Sequence, residues 1–228
     1  MKHIISKHFN FINGLLERRY KTLLICLVLM ILVPFLMQGS PYQDMTSFAF
    51  NSSSILLCIY AIHESRRQLL GGIIFAIVVI VINRLGLFQE SSTVDFYLSF
   101  MIYVLFYIYV VVRLMKMIVN TERVRAGVLF AAVIVYLLLG IIGGYLYMLI
   151  ENAVPGSLNN LSLVNLKNPS EFFYFSFTTL STLGYGDITP VSPPAEAVSM
   201  ILSITGPLYL TVLVALLVSR YDHSDEWH

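Results

Sequence analysis

Apolar residues along this 228-residue chain gather into six runs separated by short polar breaks: 22–37, 48–63, 69–85, 94–112, 126–150 and 195–219. A helix needs about 20 apolar residues, each rising 1.5 Å, to cross a bilayer. The first three runs are short and borrow flanking residues to reach that length. The second carries Asn51-Ser52-Ser53-Ser54 and is the most polar of them. A further segment, 172–181, is aromatic and hydroxyl-rich but too short to cross. It reads as a re-entrant helix that dips into the membrane and returns. Irregular backbone at that depth is tolerated only where it is buried or lines water. The pattern predicts an all-α membrane protein with six transmembrane helices plus one re-entrant helix.

Ahead of the first run, Ile4, Ile5, Phe9, Ile12, Leu15 and Leu16 fall on one helical stripe, with Lys7, Arg18 and Arg19 among the polar positions. Residues 1–21 therefore read either as a cytoplasmic interfacial amphipathic helix or as a frayed, solvated lead-in. The basic region is too long for a cleaved signal peptide. The chain divides near residue 120, giving a four-helix accessory bundle over 22–120 and a second unit over 121–228. Two readings of the junction stand. Leu114, Met117, Ile118 and Thr121 share one face and Arg113, Lys116, Asn120 and Arg123 another, which suits an amphipathic linker and packing on a neighbouring subunit. Alternatively the fourth helix runs straight on and breaks at Asn120-Thr121-Glu122, so that each bundle packs on its own second unit.

Composition narrows the class. The chain is 57% hydrophobic and only 12% charged, too few charges to cover a soluble domain of this size. Cys26 and Cys58 both lie in apolar runs and read as small core residues, with no disulfide framework implied. The runs hold no paired carboxylates, no His/Cys cluster and no nucleophile beside a base, so neither an enzyme site nor a nucleic-acid partner is expected. With the N-terminus inside, twelve basic residues fall on inner segments (Lys2, Lys7, Arg18, Arg19, Lys21, Arg66, Arg67, Arg113, Lys116, Arg123, Arg125 and Arg220) and two outside, Arg84 and Lys167. That asymmetry marks a cytoplasmic face and places both termini there.

Between the re-entrant segment and the last run stands Thr182-Leu183-Gly184-Tyr185-Gly186-Asp187. A short aromatic helix, this glycine signature and a spanning helix, in that order, resemble the pore of the tetrameric potassium channels. In that class, rings of backbone carbonyls replace the hydration shell of the ion. The resemblance implies a selectivity filter in which Thr182, Leu183, Gly184, Tyr185 and Gly186 bind K+. Gly184 and Gly186 would supply the positive φ that glycine reaches without steric cost. Tyr185 would point outward behind the filter, and Asp187 would sit at the mouth. Leu183 occupies a place usually taken by valine or isoleucine. Tyr174 and Phe175 stand where the family often has a tryptophan pair, and Tyr174 keeps a hydroxyl that can reach Asp187. Thr178 stands where some members carry a carboxylate, so the acidic clamp behind the filter is absent or built differently.

Four helices before a two-helix pore look like the voltage-gated architecture, whose fourth helix carries arginine or lysine at every third position. Residues 94–112 carry none. Each charge moved across 100 mV is worth about 2.3 kcal/mol, so steep voltage gating is not expected. Residues 151–169 read as an outer turret loop, and Asn160-Leu161-Ser162 within it is a glycosylation acceptor only in a eukaryotic secretory setting. Glu171 suits the first turn of the pore helix. Gly206-Pro207 resembles the family's gating hinge, and Leu210, Leu213, Val214 and Leu217 below it are candidates for an apolar constriction. The resemblance implies a homotetramer that passes K+ passively through the plasma membrane, with a bacterial inner membrane as the expected setting. Only eight residues follow Arg220, so gating is expected from membrane elements, lipid, pH, the filter or a separate regulatory partner. A weakly selective monovalent cation channel, and a transporter with an incidental glycine motif, are the alternatives.

Overall fold

The computed structural model describes residues 2–37, 40–63, 65–85, 93–121, 126–161 and 169–220. Lys167, Ser162, Glu122, Arg123, Arg125 and the side chains of the N-terminal stripe lie outside the described residues. The elements run α1 (Lys2–Leu36), α2 (Gln43–Ile62), α3 (Arg66–Leu85), α4 (Thr93–Asn120), α5 (Ala126–Ala153), β1 (Leu158–Asn159), α6 (Ser170–Leu180), β2 (Thr189–Pro190) and α7 (Pro193–Ser219). Among the described residues, Glu17–Leu36, Phe100–Asn120, Ala126–Ala153 and Pro193–Ser219 are long and apolar enough to cross a membrane. The chain is a helical, multi-pass membrane protein.

Two boundaries differ from those expected. The division at residue 21 falls inside α1, which runs on unbroken into the span 17–36. At 35 residues α1 is about 52 Å long, well beyond the roughly 30 Å of a hydrocarbon core. The fourth helix runs unbroken past the apolar run 94–112 to Asn120, and residues 122–125 of the junction lie outside the described residues. Glu151 belongs to the last turn of α5, and both its oxygens reach forward to accept from amides of the turret, those of Gly156 and Leu158.

Local chemistry accounts for the start of α7. The Ser192 hydroxyl accepts from the Ala195 amide at 3.4 Å, and prolines fill the first two helical positions, where an amide would have no partner.

The accessory helices pack on the second unit of their own chain. Helices α1 and α4 both lie against α5, and α1 also reaches α6. The polar run of α2 explains itself here, since it faces the bundle interior. The Ser54 hydroxyl is fully buried 2.7 Å from the Tyr107 hydroxyl, Cys26 Sγ lies 3.5 Å from Ser53, and Asn51 accepts from the Tyr145 hydroxyl. Tyr145 in turn stacks between Tyr103 and Tyr107 of α4, with ring centroids 5.8 and 6.2 Å away, and meets Phe173 of α6 edge-on at 5.4 Å. Buried polar groups without partners would be costly at this depth, and these have them.

Charge separates along the bundle axis. Arg18, Arg19 and Lys21 of α1, Arg66 and Arg67 of α3, Arg113 and Lys116 of α4, and Arg220 after α7 share one end. Contacts between Arg19 and Tyr60, between Tyr20 and Met117, and between Arg220 and Thr121 join these segments. Glu151, Glu171, Asp187 and Glu196 lie at the opposite end, around α6.

Candidate functional site

The site is built on α6, whose seat is carved into α5. A Cβ at Gly140, Gly143 or Gly144 would overlap Phe177, Ser176 or Phe173 respectively. The three glycines thus let the short helix lie close against the long one, and Ser176 fixes the contact by donating to the Gly140 carbonyl at 2.7 Å. Sequence reasoning passed over this seat, although the Gly140-x-x-Gly143-Gly144 spacing was visible. Gly206 plays the same part from the other side. A Cβ there would strike the backbone carbonyl of Leu180 at the end of α6, so α7 passes directly against the helix terminus.

Beyond Leu180 the chain does not wander. Carbonyls of the last α6 turn are taken up by the amides that follow. Ser181 bonds to Phe177, Thr182 to Thr179 at 3.0 Å, and both Leu183 (2.9 Å) and Gly184 (3.1 Å) to the single carbonyl of Thr178. The Thr178 hydroxyl itself is satisfied by Phe175, 3.0 Å away. At Thr178 it is the main-chain oxygen that tethers the strand.

The tethered strand alternates in hand. Thr182 (φ 60°), Gly184 (φ 51°) and Gly186 (φ 79°) are left-handed, whereas Leu183 and Tyr185 are not. Alternation of this kind turns successive peptide planes so that their carbonyls gather on one side instead of pointing to opposite faces. The two glycines adopt it at no steric cost. Thr182 is β-branched, and such residues are rare in this region, so the start of the strand is strained. Residues 181–187 are all exposed in the isolated chain.

The flanking side chains divide their work. Phe175 is buried and packs on the Tyr147 ring at 4.7 Å, anchoring α6 to α5. Tyr174 faces the strand. Its hydroxyl donates to Asp187 Oδ2 at 2.5 Å, and its ring lies parallel to that of Tyr185 at 6.4 Å. The hydrogen bond holds the Asp187 carboxyl below its ordinary range and pushes the Tyr174 phenol up to about 12. Asp187 is further fixed through Oδ1 by the Ile188 amide at 3.0 Å, and its carbonyl accepts from Asn160 at 3.0 Å.

Asn160 is placed by the turret, and the turret by Glu151. That carboxylate is 2% exposed and accepts from the amides of Gly156 (2.7 Å) and Leu158 (3.0 Å). β1 then pairs antiparallel with β2, Leu158 opposite Pro190 and Asn159 opposite Thr189. The sequence signal for this chain of contacts was a lone acid at the end of an apolar run.

Below the site, α7 continues through Pro207 without a break. Leu213 and Leu217 are half-buried against the chain's own core, whereas Leu210 and Val214 are exposed. At the far end, Arg220 donates to the carbonyls of Ile118 (3.0 Å) and Thr121 (2.6 Å), capping α4.

Residues 127–222 match the family model described as an ion channel. The chain is 33% identical over 72 residues to the inward rectifier potassium channel Kirbac3.1 of Paramagnetospirillum magnetotacticum, covering 32% of this chain and 21% of the relative. It is 27% identical over 100 residues to the calcium-gated potassium channel TvoK of Thermoplasma volcanium, covering 44% and 26%. It is 32% identical over 101 residues to the two-pore potassium channel 4 of Arabidopsis thaliana, covering 44% and 33%. The chain thus spans a third or less of the length of these curated relatives. No solved structure matches it. Together these likenesses support a place for the segment 127–222 among the potassium channels.

Proposed function

We propose that the chain is a potassium-selective channel subunit that passes K+ passively through a pore formed by four copies. The observation that carries this reading is the alternating hand of Thr182, Gly184 and Gly186 in a strand tethered to the end of a re-entrant helix. One such strand offers carbonyls from one side only, and a dehydrated ion needs oxygens all round. Fourfold symmetry supplies them and covers the exposed strand. Carbonyls of Thr182, Leu183, Gly184 and Tyr185, with the Thr182 hydroxyl innermost, would take the places of water. Asp187 would raise the local cation concentration at the mouth.

In this reading α1 to α5 and α7 make the six spans, the Arg220 end faces the cytoplasm, and the membrane is a bacterial inner membrane. α4 lacks an arginine array, so voltage dependence is shallow. Leu210 and Val214, one turn apart on the face left open by the chain's own packing, form the constriction; Gly206-Pro207 is the place where α7 bends to open it.

The test is barium-sensitive K+ flux into liposomes containing the purified protein, with reversal potentials measured under a K+/Na+ gradient. Selective flux that is abolished by Gly184→Asp is expected. Equal K+ and Na+ permeability would overturn the selectivity, and flux unaffected by Gly184→Asp would overturn the site.

A further inference from the structure

Helix α3 is held less closely than its neighbours. It packs on α2 and meets α4 through the stacked rings of Phe75 and Phe106, 5.8 Å apart. Around that stack the three helices part to leave a cleft of about 530 Å³, within the range of roughly 300–1,000 Å³ usual for ligand sites. Its walls are apolar apart from Tyr109 and from His63 and Gln68, the last two standing at the basic end of the bundle. A smaller cavity of about 210 Å³ shares Ile62 and His63 with it and is lined by Arg113. Arg66 and Arg67 open α3 immediately before Gln68. Both are exposed, and neither has an ion-pair partner among the described residues. Gly71 lines the cleft, and a Cβ there would meet nothing within 4 Å.

We infer that this cleft binds an anionic glycerophospholipid, one acyl chain lying along Gly71 and Phe75 and the phosphate engaging Arg66 and Arg67. The chemistry favours this occupant on two counts. A trough at membrane depth with almost no polar lining accepts hydrocarbon, and guanidinium groups pair with phosphate through two parallel hydrogen bonds. A zwitterionic lipid matches the trough but has no net charge to offer the arginines. A free fatty acid has the charge but not the phosphate. The inference needs only that the bundle lie in a membrane, so it stands or falls separately from conduction.

Native mass spectrometry of the full-length protein in detergent tests it, with phosphatidylglycerol, phosphatidylcholine and oleic acid as probes. Phosphatidylglycerol should be retained about tenfold more strongly than phosphatidylcholine, as expected of two basic side chains near an anionic headgroup. Gly71→Phe, which fills the cleft, should lose the tightly held lipid. Arg66→Gln with Arg67→Gln, an exposed pair whose change does not touch the core, should keep lipid but lose the preference. Three outcomes overturn the site: a preference unchanged in the double variant, a Gly71→Phe protein of unaltered melting temperature that retains phosphatidylglycerol as before, or oleic acid displacing the phospholipid at equal concentration.

Discussion

Tyr174 on the re-entrant helix donates its phenolic proton to Asp187 just beyond the glycine strand, at 2.5 Å. One hydrogen bond therefore ties α6 to the far end of the strand, across the very residues proposed to hold the ion. The acid and the phenol perturb each other in opposite directions, which gives the bond a definite pH window.

The carboxylate is lowered from its ordinary value of 3.8, so its contribution is complete above that value and is lost as pH falls through the lowered one. The phenol is raised from 10.0 to about 12, so its contribution is complete below 10.0 and is lost as pH rises towards about 12. Flux should be flat in extracellular pH between those limits. In Tyr174→Phe, Asp187 returns towards 3.8 and the acid limb moves upward. Flux recorded as a function of outside pH checks this. An acid limb at the same pH in both proteins would show that the bond does not hold the mouth.

Gly184→Ala isolates the backbone requirement. In the single chain a Cβ at Gly184 meets nothing within 4 Å, so crowding inside the protomer is not the difficulty. The left-handed φ of 51° is, at a cost of about 1–2 kcal/mol per strand. Selective flux should fall sharply while the melting temperature of the protomer fold changes little.

Gly206→Ala separates packing from bending. Its methyl group would collide with the Leu180 carbonyl, a main-chain atom that cannot swing aside. Overpacking of this kind costs about 1–3 kcal/mol. A lower melting temperature in detergent is expected along with lost flux. Were Gly206 solely a hinge, stability would be untouched and only gating kinetics would change.

Glu151→Ala should act at a distance. It strands the buried amide of Leu158, at about 1–3 kcal/mol for an unsatisfied buried group, and releases the exposed amide of Gly156 to water. Hydrogen exchange at Leu158 and at Val191, whose amide bonds to Ser157 at 2.8 Å, should accelerate together. Glu151→Gln keeps one acceptor oxygen and should restore part of the protection.

Arg220→Ala removes the cap from α4 and leaves the carbonyls of Ile118 and Thr121 without it. A cation at a helix C-terminus contributes up to about 2 kcal/mol in partly buried geometry. If the clasp couples the accessory helices to α7, channel opening should change in Arg220→Ala and recover partly in Arg220→Lys. Unchanged opening in both would mean the contact is merely structural.

Much of this was legible before any coordinates. Long apolar runs announce spans because hydrocarbon leaves the backbone no other choice. Gly184 and Gly186 announce their own conformation because few other residues tolerate it. What stayed hidden depends on contacts between distant segments. Nothing local in Thr182 reveals a left-handed threonine, which three hydrogen bonds from the end of α6 impose on the strand around it. The polar run 51–54 argued against a span when read by composition. Its partners Tyr107 and Tyr145 lie far along the chain, and only their positions turn a liability into a seam. The continuity of α1 through residue 21 was likewise obscured by a change of composition that the backbone ignores.

That seam has a consequence for how the molecule melts. Tyr145 belongs to the second unit, yet it is gripped by rings from α4 and an amide from α2, and it touches Phe173 on the re-entrant helix. Among the described residues, no plane of weak cohesion separates the first four helices from the rest. Heating should therefore take both halves apart in one step, and a truncated version beginning at residue 121 would expose a raw aromatic surface that must be recovered by some other protein or by lipid.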